Sequence, residues 1–284
     1  MKQQSPQWRV TIYLVLLLLA TIIANLLASR LADSPLAALI LMTSPALAAL
    51  LTSLITRRSM KDIGWRVTPL KWLGLGWILP IFYALPAYAL IWLTGLGGVP
   101  NLTFLERARF TLNMPDAPNN LLIIAAFFYI TLVNLIPSML LSLGEEIGWR
   151  GFLVPELTKW LGLRNAAWLS GVIWAAWHLP GILSGDYGAQ AMPLAYRLAC
   201  FALMVIASGM VMAWIRMKSG SIIPVAIMHA THNGVIQTFL DRITFDTGKT
   251  AYFTGEFGAA LLPILLVMAW YVWNQMGKME AQAA

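Results

Sequence analysis

Residues Val10 to Ser29 read VTIYLVLLLLATIIANLLAS, with no Asp, Glu, Lys or Arg anywhere in the run. At 1.5 Å of rise per residue, a helix of this length is about 30 Å long, the thickness of a bilayer's hydrocarbon core. The intervals 34–56, 72–105, 117–144, 165–185, 198–215, 219–240 and 257–277 are equally free of charge. In lipid only helices and closed barrels satisfy their own backbone, and these runs are continuous rather than alternating. The expected fold is therefore all-α, a polytopic transmembrane bundle of about eight spans.

Composition points the same way. The chain is 59% hydrophobic and 11% charged, whereas a soluble domain carries about 25% charged residues. That excludes a soluble enzyme, a disordered chain and a nucleic-acid binder. The formal net charge of +7 reads as a topology signal. With the N-terminus in the cytoplasm, thirteen of the 19 basic residues, Lys2 among them, fall on that side. Arg30, Arg107, Arg109, Arg197, Arg242 and Lys249 fall on the other, as the positive-inside rule expects. Both termini are then cytoplasmic and the protein is multi-pass in the plasma membrane. The single Cys200 excludes an intramolecular disulfide framework. The first run is long enough to span and lacks a small-residue cleavage site, so no cleavable signal peptide is expected.

Without internal repeats or linkers, residues 1–284 form one membrane domain. Within it, 1–119 supply lipid-facing scaffold spans, kinked at Pro80 and Pro86, and 120–275 carry the chemistry. All three histidines and the pair Glu145–Glu146 lie in that second part. Ionisable groups at membrane depth cost several kcal/mol unless paired or hydrated, and by default they mark function.

Three short segments hold these groups. In Leu140–Pro155, LLSLGEEIGWRGFLVP, Glu146 and Arg150 are four apart and can pair on one helix face, which frees Glu145 to point elsewhere. The two acids also read as an ordinary charged helix end. In Trp174–Gly181, WAAWHLPG, Trp174 and His178 are one turn apart; a lone intramembrane His also reads as a hydrogen bond to a neighbouring helix. Register ties the two segments together. Glu145 lies 17 residues before Gly162 and His178 lies 16 after it, so in an antiparallel hairpin both sit about 25 Å from the turn. This requires the helix to run past Glu145 toward residue 160, bent at Pro137. In the third segment, His229–Gly234, HATHNG, His229 and Asn233 share a face and His232 is rotated off it. An imidazole and an amide on one face suit oxyanion stabilisation, or helix packing through Asn. The loop 184–197, with Asp186, Tyr187 and Pro193, is placed to gate access.

This ordered set resembles the CPBP family of intramembrane proteases, which groups type 2 CAAX prenyl proteases with bacteriocin-processing and immunity (Abi) proteins. The resemblance covers about residues 120–275. The family often has Phe four residues before the His, where Trp174 stands here. The resemblance implies an intramembrane endopeptidase acting on a membrane-associated peptide or protein. Glu145 would be the general base, His178 would help bind the water, and His229 and Asn233 would stabilise the oxyanion. Glu146 and Arg150 would form a supporting ion pair. Members are commonly labelled metalloproteases, and Glu145, His178 and His229 could supply three ligands to Zn²⁺. The segments lack a His-Glu-x-x-His helix, so the preferred mechanism requires no metal. The alternatives are a non-catalytic immunity or peptide/lipid-binding protein, and a proton-coupled transporter, against which the lack of an inverted repeat argues.

Overall fold

The computed structural model describes residues 4–31, 35–188 and 191–283. Lys2 from the charge count, and Ala189 and Gln190 within the 184–197 loop, lie outside the described residues. Helices α1 (Pro6–Ala28), α2 (Pro35–Thr56) and α3 (Leu70–Leu93) come first, followed by α4 (Leu102–Leu112) and α5 (Asn119–Phe128). Then come α6 (Leu135–Glu146), α7 (Val154–Leu161), α8 (Leu163–Trp177), α9 (Leu179–Ser184) and α10 (Leu194–Ser219). Helices α11 (Ile223–His232), α12 (Asp241–Ile243) and α13 (Leu262–Ala283) complete the bundle. Among the described residues there is no strand, and one isolated antiparallel bridge joins Gly98 to Phe245.

Among the described residues five helical stretches are long and apolar enough to cross a membrane: α1, α2, α3, α8 together with α9, and α10. A sixth crossing is made if the pair Asn119–Val133 and Leu135–Leu161, bent by 47°, counts as one span. The charge-free runs numbered eight. The difference lies partly in 219–240, which divides into α11 and a π-helical turn, Asn233–Leu240, and in 257–277, where helix begins only at Leu262. The protein is a multi-pass helical membrane protein. Leu18, Leu26 and Leu54 stand outward on α1 and α2, as side chains facing lipid do.

The helix carrying Glu145 does continue past it, from Leu135 to Leu161, and ends at Gly162, whose φ of 78° makes the turn into α8. The bend falls beside Asn134 rather than at Pro137. Downstream, Ile147–Leu153 widens into a π-helical turn just before Pro155. Proline cannot donate to the carbonyl four residues back. That carbonyl, Gly151 O, instead accepts from Arg58 Nη2 at 3.2 Å. Arg58 Nε also binds Glu156 Oε1 at 2.9 Å, and Arg9 and Lys159 complete a shell around that buried acid. The N-terminal helices thus lock onto the second half through ions as well as lipid-like packing. Small residues do the rest: a Cβ on Gly144 would meet Met42 O at 2.7 Å, and one on Gly148 would meet the Pro45 backbone at 2.7 Å. Glycine at both positions lets α6 and the following turn lie directly on α2.

Candidate active site

Trp174, on α8, is where the elements meet. Its indole Nε1–H donates to Glu145 Oε2 at 2.8 Å, across the hairpin predicted from register. The Arg150 guanidinium lies 4.2 Å above its ring, and the His229 ring meets it edge-on at 5.4 Å between centroids. Its carbonyl accepts a hydrogen bond from His178 Nδ1 at 2.9 Å. One side chain and its backbone therefore touch an acid from α6, a cation from the π turn, and imidazoles at the end of α8 and on α11.

The two adjacent acids divide their work as the spacing predicted. Glu146 Oε1 accepts from Arg150 Nη1 at 2.8 Å and from His229 Nδ1 at 2.9 Å. Glu146 is fully buried, and its Oε2 has no hydrogen-bond partner among the described residues. Glu145, 3% exposed, accepts at Oε2 from Trp174 and from Trp149 Nε1 at 3.3 Å. Its Oε1 takes no hydrogen bond among the described residues. A buried carboxylate with one oxygen held by two N–H donors and the other free is oriented yet available.

The histidines differ in what their hydrogen bonds leave open. Carbonyls and carboxylates only accept, so the proton on Nδ1 is assigned in both His178 and His229. In neutral His178 this leaves Nε2 as an acceptor with no partner among the described residues. Its ring sits among Trp177, Tyr187 and Phe201, with centroids 4.8, 5.5 and 5.1 Å away. Trp174 and His178 stand one turn apart as read from their spacing; their rings are tilted at 6.0 Å, and the closer link is the bond to the Trp174 carbonyl. Asn233 begins the π turn after His229, half-buried, and its amide has no partner among the described residues.

His232 turns away from this group, as its rotation on the helix predicted. It joins a second network that sequence reasoning missed. Nε2 of His232 donates to Glu256 Oε1 at 2.9 Å and Nδ1 accepts from the Tyr83 hydroxyl at 2.5 Å. Glu256 also accepts from the Tyr187 hydroxyl, and Tyr187 stacks on His178. Nearby, the Tyr88 hydroxyl donates to Asp241. Tyr83 and Tyr88 come from α3, so a region read as lipid-facing scaffold supplies buried polar groups beside the candidate site. A lone acid between glycines at the edge of an apolar run was the available signal for Glu256.

Zinc can be tested against the donors. Among the described residues no three His, Cys, Asp or Glu side chains gather as a metal-binding group. Glu145, His178 and His229 are instead spread around the Trp174 indole, and His229 Nδ1 is committed to Glu146. With Nδ1 held in each ring, Nε2 is the atom of His178 and of His229 that a metal would use.

Fold and site together define a multi-pass helical membrane protein with a buried cluster of acid, cation and imidazole. Residues 119–235 match the sequence model described as type II CAAX prenyl endopeptidase Rce1-like, so that segment is similar to the proteins this model describes. A stretch of 107 residues is 34% identical to CAAX prenyl protease 2 of Methanococcus maripaludis, covering 36% of this chain and 38% of that protein's length. The segment 119–235 takes in Glu145, His178, His229 and Asn233.

Proposed function

We propose that the protein is an intramembrane endopeptidase of the plasma membrane, hydrolysing a peptide bond in a membrane-associated substrate of the prenylated CAAX class. The observation carrying this reading is the meeting of Glu145, His178 and His229 on Trp174. A bystander acid would be paired with the nearest cation. Here Glu146 takes Arg150 and leaves Glu145 for other work.

In the proposed reaction a water donates one hydrogen bond to the free Oε1 of Glu145 and another to His178 Nε2. Glu145 removes the first proton as the water oxygen attacks the scissile carbonyl carbon. The resulting oxyanion accepts from the Asn233 amide and from His229. Because His229 Nδ1–H is held by Glu146, donation from Nε2 uses the imidazolium form, whose charge Glu146 offsets. Glu145 then passes its proton to the leaving amine as the C–N bond breaks. Protein groups and water suffice for every step.

The test uses the purified full chain in proteoliposomes and a quenched-fluorescent peptide with a prenylated cysteine in a CAAX C-terminus. Glu145→Gln and His178→Ala should lower kcat/KM by about 10²–10⁴-fold, and Asn233→Ala by about 10²–10³-fold, with unfolding temperatures near that of the wild type. Full cleavage by all three folded variants would sink the peptidase reading. Cell protection that survives Glu145→Gln would favour a binding protein instead.

A further inference from the structure

Arg197 is the charged group that the site and the scaffold leave unexplained. It is 5% exposed, and neither Nε nor Nη1 has a hydrogen-bond partner among the described residues. The other buried arginines are engaged: Arg9 and Arg58 with Glu156, Arg150 with Glu146, and Arg216 with the Asp62 and Ile63 carbonyls. A buried guanidinium without an acceptor is costly, and the cost falls away when an anion arrives.

Its place in the fold says where that anion would sit. Arg197 lies in the first turn of α10, a helix of 26 residues whose N-cap, Pro193, offers no side-chain cap and whose first turn holds no acid. The first N–H groups of a helix are free and its dipole favours negative charge there. Long helical side chains lean back toward the helix N-terminus, so the guanidinium and the free N–H groups serve the same space. One turn further along the same face is Phe201, whose ring touches that of His178 at 5.1 Å. A cavity of about 370 Å³ is lined by Tyr187, which stacks on His178, and by Met192, two residues before α10 begins; Arg197 itself is not in its wall. The two acids in its wall are already bound, Asp241 by Tyr88 and Glu256 by His232 and Tyr187.

We propose that Arg197 and the N-terminus of α10 form a carboxylate-binding site that holds the free C-terminus of the substrate peptide. Arg197 stands one helical turn before Phe201, whose ring touches that of His178. A carboxylate anchored at Arg197 therefore directs the upstream residues of the peptide toward His178 and the water. This inference rests on the peptidase reading for the identity of the peptide; the anion site itself does not.

The experiment compares the prenylated CAAX peptide bearing a free carboxylate with the same peptide ending in a carboxamide, on the full chain reconstituted in phosphatidylcholine vesicles with and without phosphatidylglycerol. Wild-type protein should bind and cleave the acid with at least tenfold lower KM than the amide. Arg197→Met should raise KM for the acid to the amide's value and leave KM for the amide alone, and its unfolding temperature should equal or exceed the wild type's, since it removes an uncompensated charge. Arg197→Lys, which keeps the charge without the fork, should recover part of the acid preference. Fluorescence anisotropy of both peptides on Glu145→Gln protein separates binding from turnover. A wild type that cleaves neither peptide yet prefers the acid in anisotropy refutes the peptidase reading and retains the anion site. An Arg197→Met effect equal on acid and amide, or no effect on either, overturns the site. An effect that follows phosphatidylglycerol content instead of the peptide terminus assigns Arg197 to a lipid phosphate and overturns the substrate assignment.

Discussion

The indole of Trp174 decides how much of the cluster survives a conservative change. Trp174→Phe keeps a ring under Arg150 and beside His229 but removes the 2.8 Å donor to Glu145, leaving Trp149 to hold that carboxylate alone. The expected result is a folded enzyme whose kcat falls about tenfold, or about 1.4 kcal/mol of transition-state stabilisation, with KM little changed; steady-state kinetics on the prenylated peptide checks it. Arg150→Ala is predicted to be far harsher. It strips the cation from a fully buried acid whose Oε2 is already unpartnered, and removing one member of a buried pair costs about 3–5 kcal/mol. Loss of thermal stability in detergent, before any assay of cleavage, is the measure. At this scale the sequence was informative because the i, i+4 rule is local: Glu146 with Arg150 follows from four residues of spacing. It could not show that His229 also binds Glu146, because those residues are 83 apart and only packing of α11 on α6 joins them.

Among the elements, the hairpin of α6, the π turn, α7 and α8 carries the geometry. Its close seat on α2 depends on Gly144 and Gly148, and Gly148→Leu would drive a side chain into the Pro45 backbone. The expected outcome is loss of folded protein, read by size-exclusion chromatography after extraction; a well-behaved monodisperse variant would contradict it. Gly162→Ala, at φ 78°, should cost about 1–3 kcal/mol through backbone strain alone and leave kcat intact in the fraction that folds. The hairpin and its turn at Gly162 were legible beforehand because the turn residue is conspicuous, but constant helical rise paired Glu145 with His178, whereas its bond goes to Trp174, one turn earlier. The π turn was not. It depends on Arg58 satisfying the carbonyl that Pro155 strands, an acceptor–donor match between residues 93 apart in sequence.

For the molecule as a whole, the Glu156 shell joins the N-terminal helices to the core. Arg58→Met removes the shorter of the two arginine contacts to Glu156 and the donor to Gly151 O in one step. Stability should fall by about 3 kcal/mol or more, with activity lost only in proportion to unfolding. Arg58→Lys should not restore it, since one ammonium cannot serve both acceptors in the arginine fork's geometry.

What the chain determined unaided is its relation to lipid and its local chemistry: charge-free runs of bilayer length, a paired acid beside a free one, and imidazoles placed one turn from aromatic or amide partners. These are properties of neighbours along a helix, and helical periodicity makes them readable in one dimension. Tertiary structure alone decided that Trp174 collects four groups, that Tyr83 and Tyr88 from the first half meet His232 and Asp241 from the second, and that Arg197 is buried without a partner. Each depends on which helix faces pack together. In a chain this uniformly apolar, hydropathy says that a face is covered but carries almost no information about what covers it.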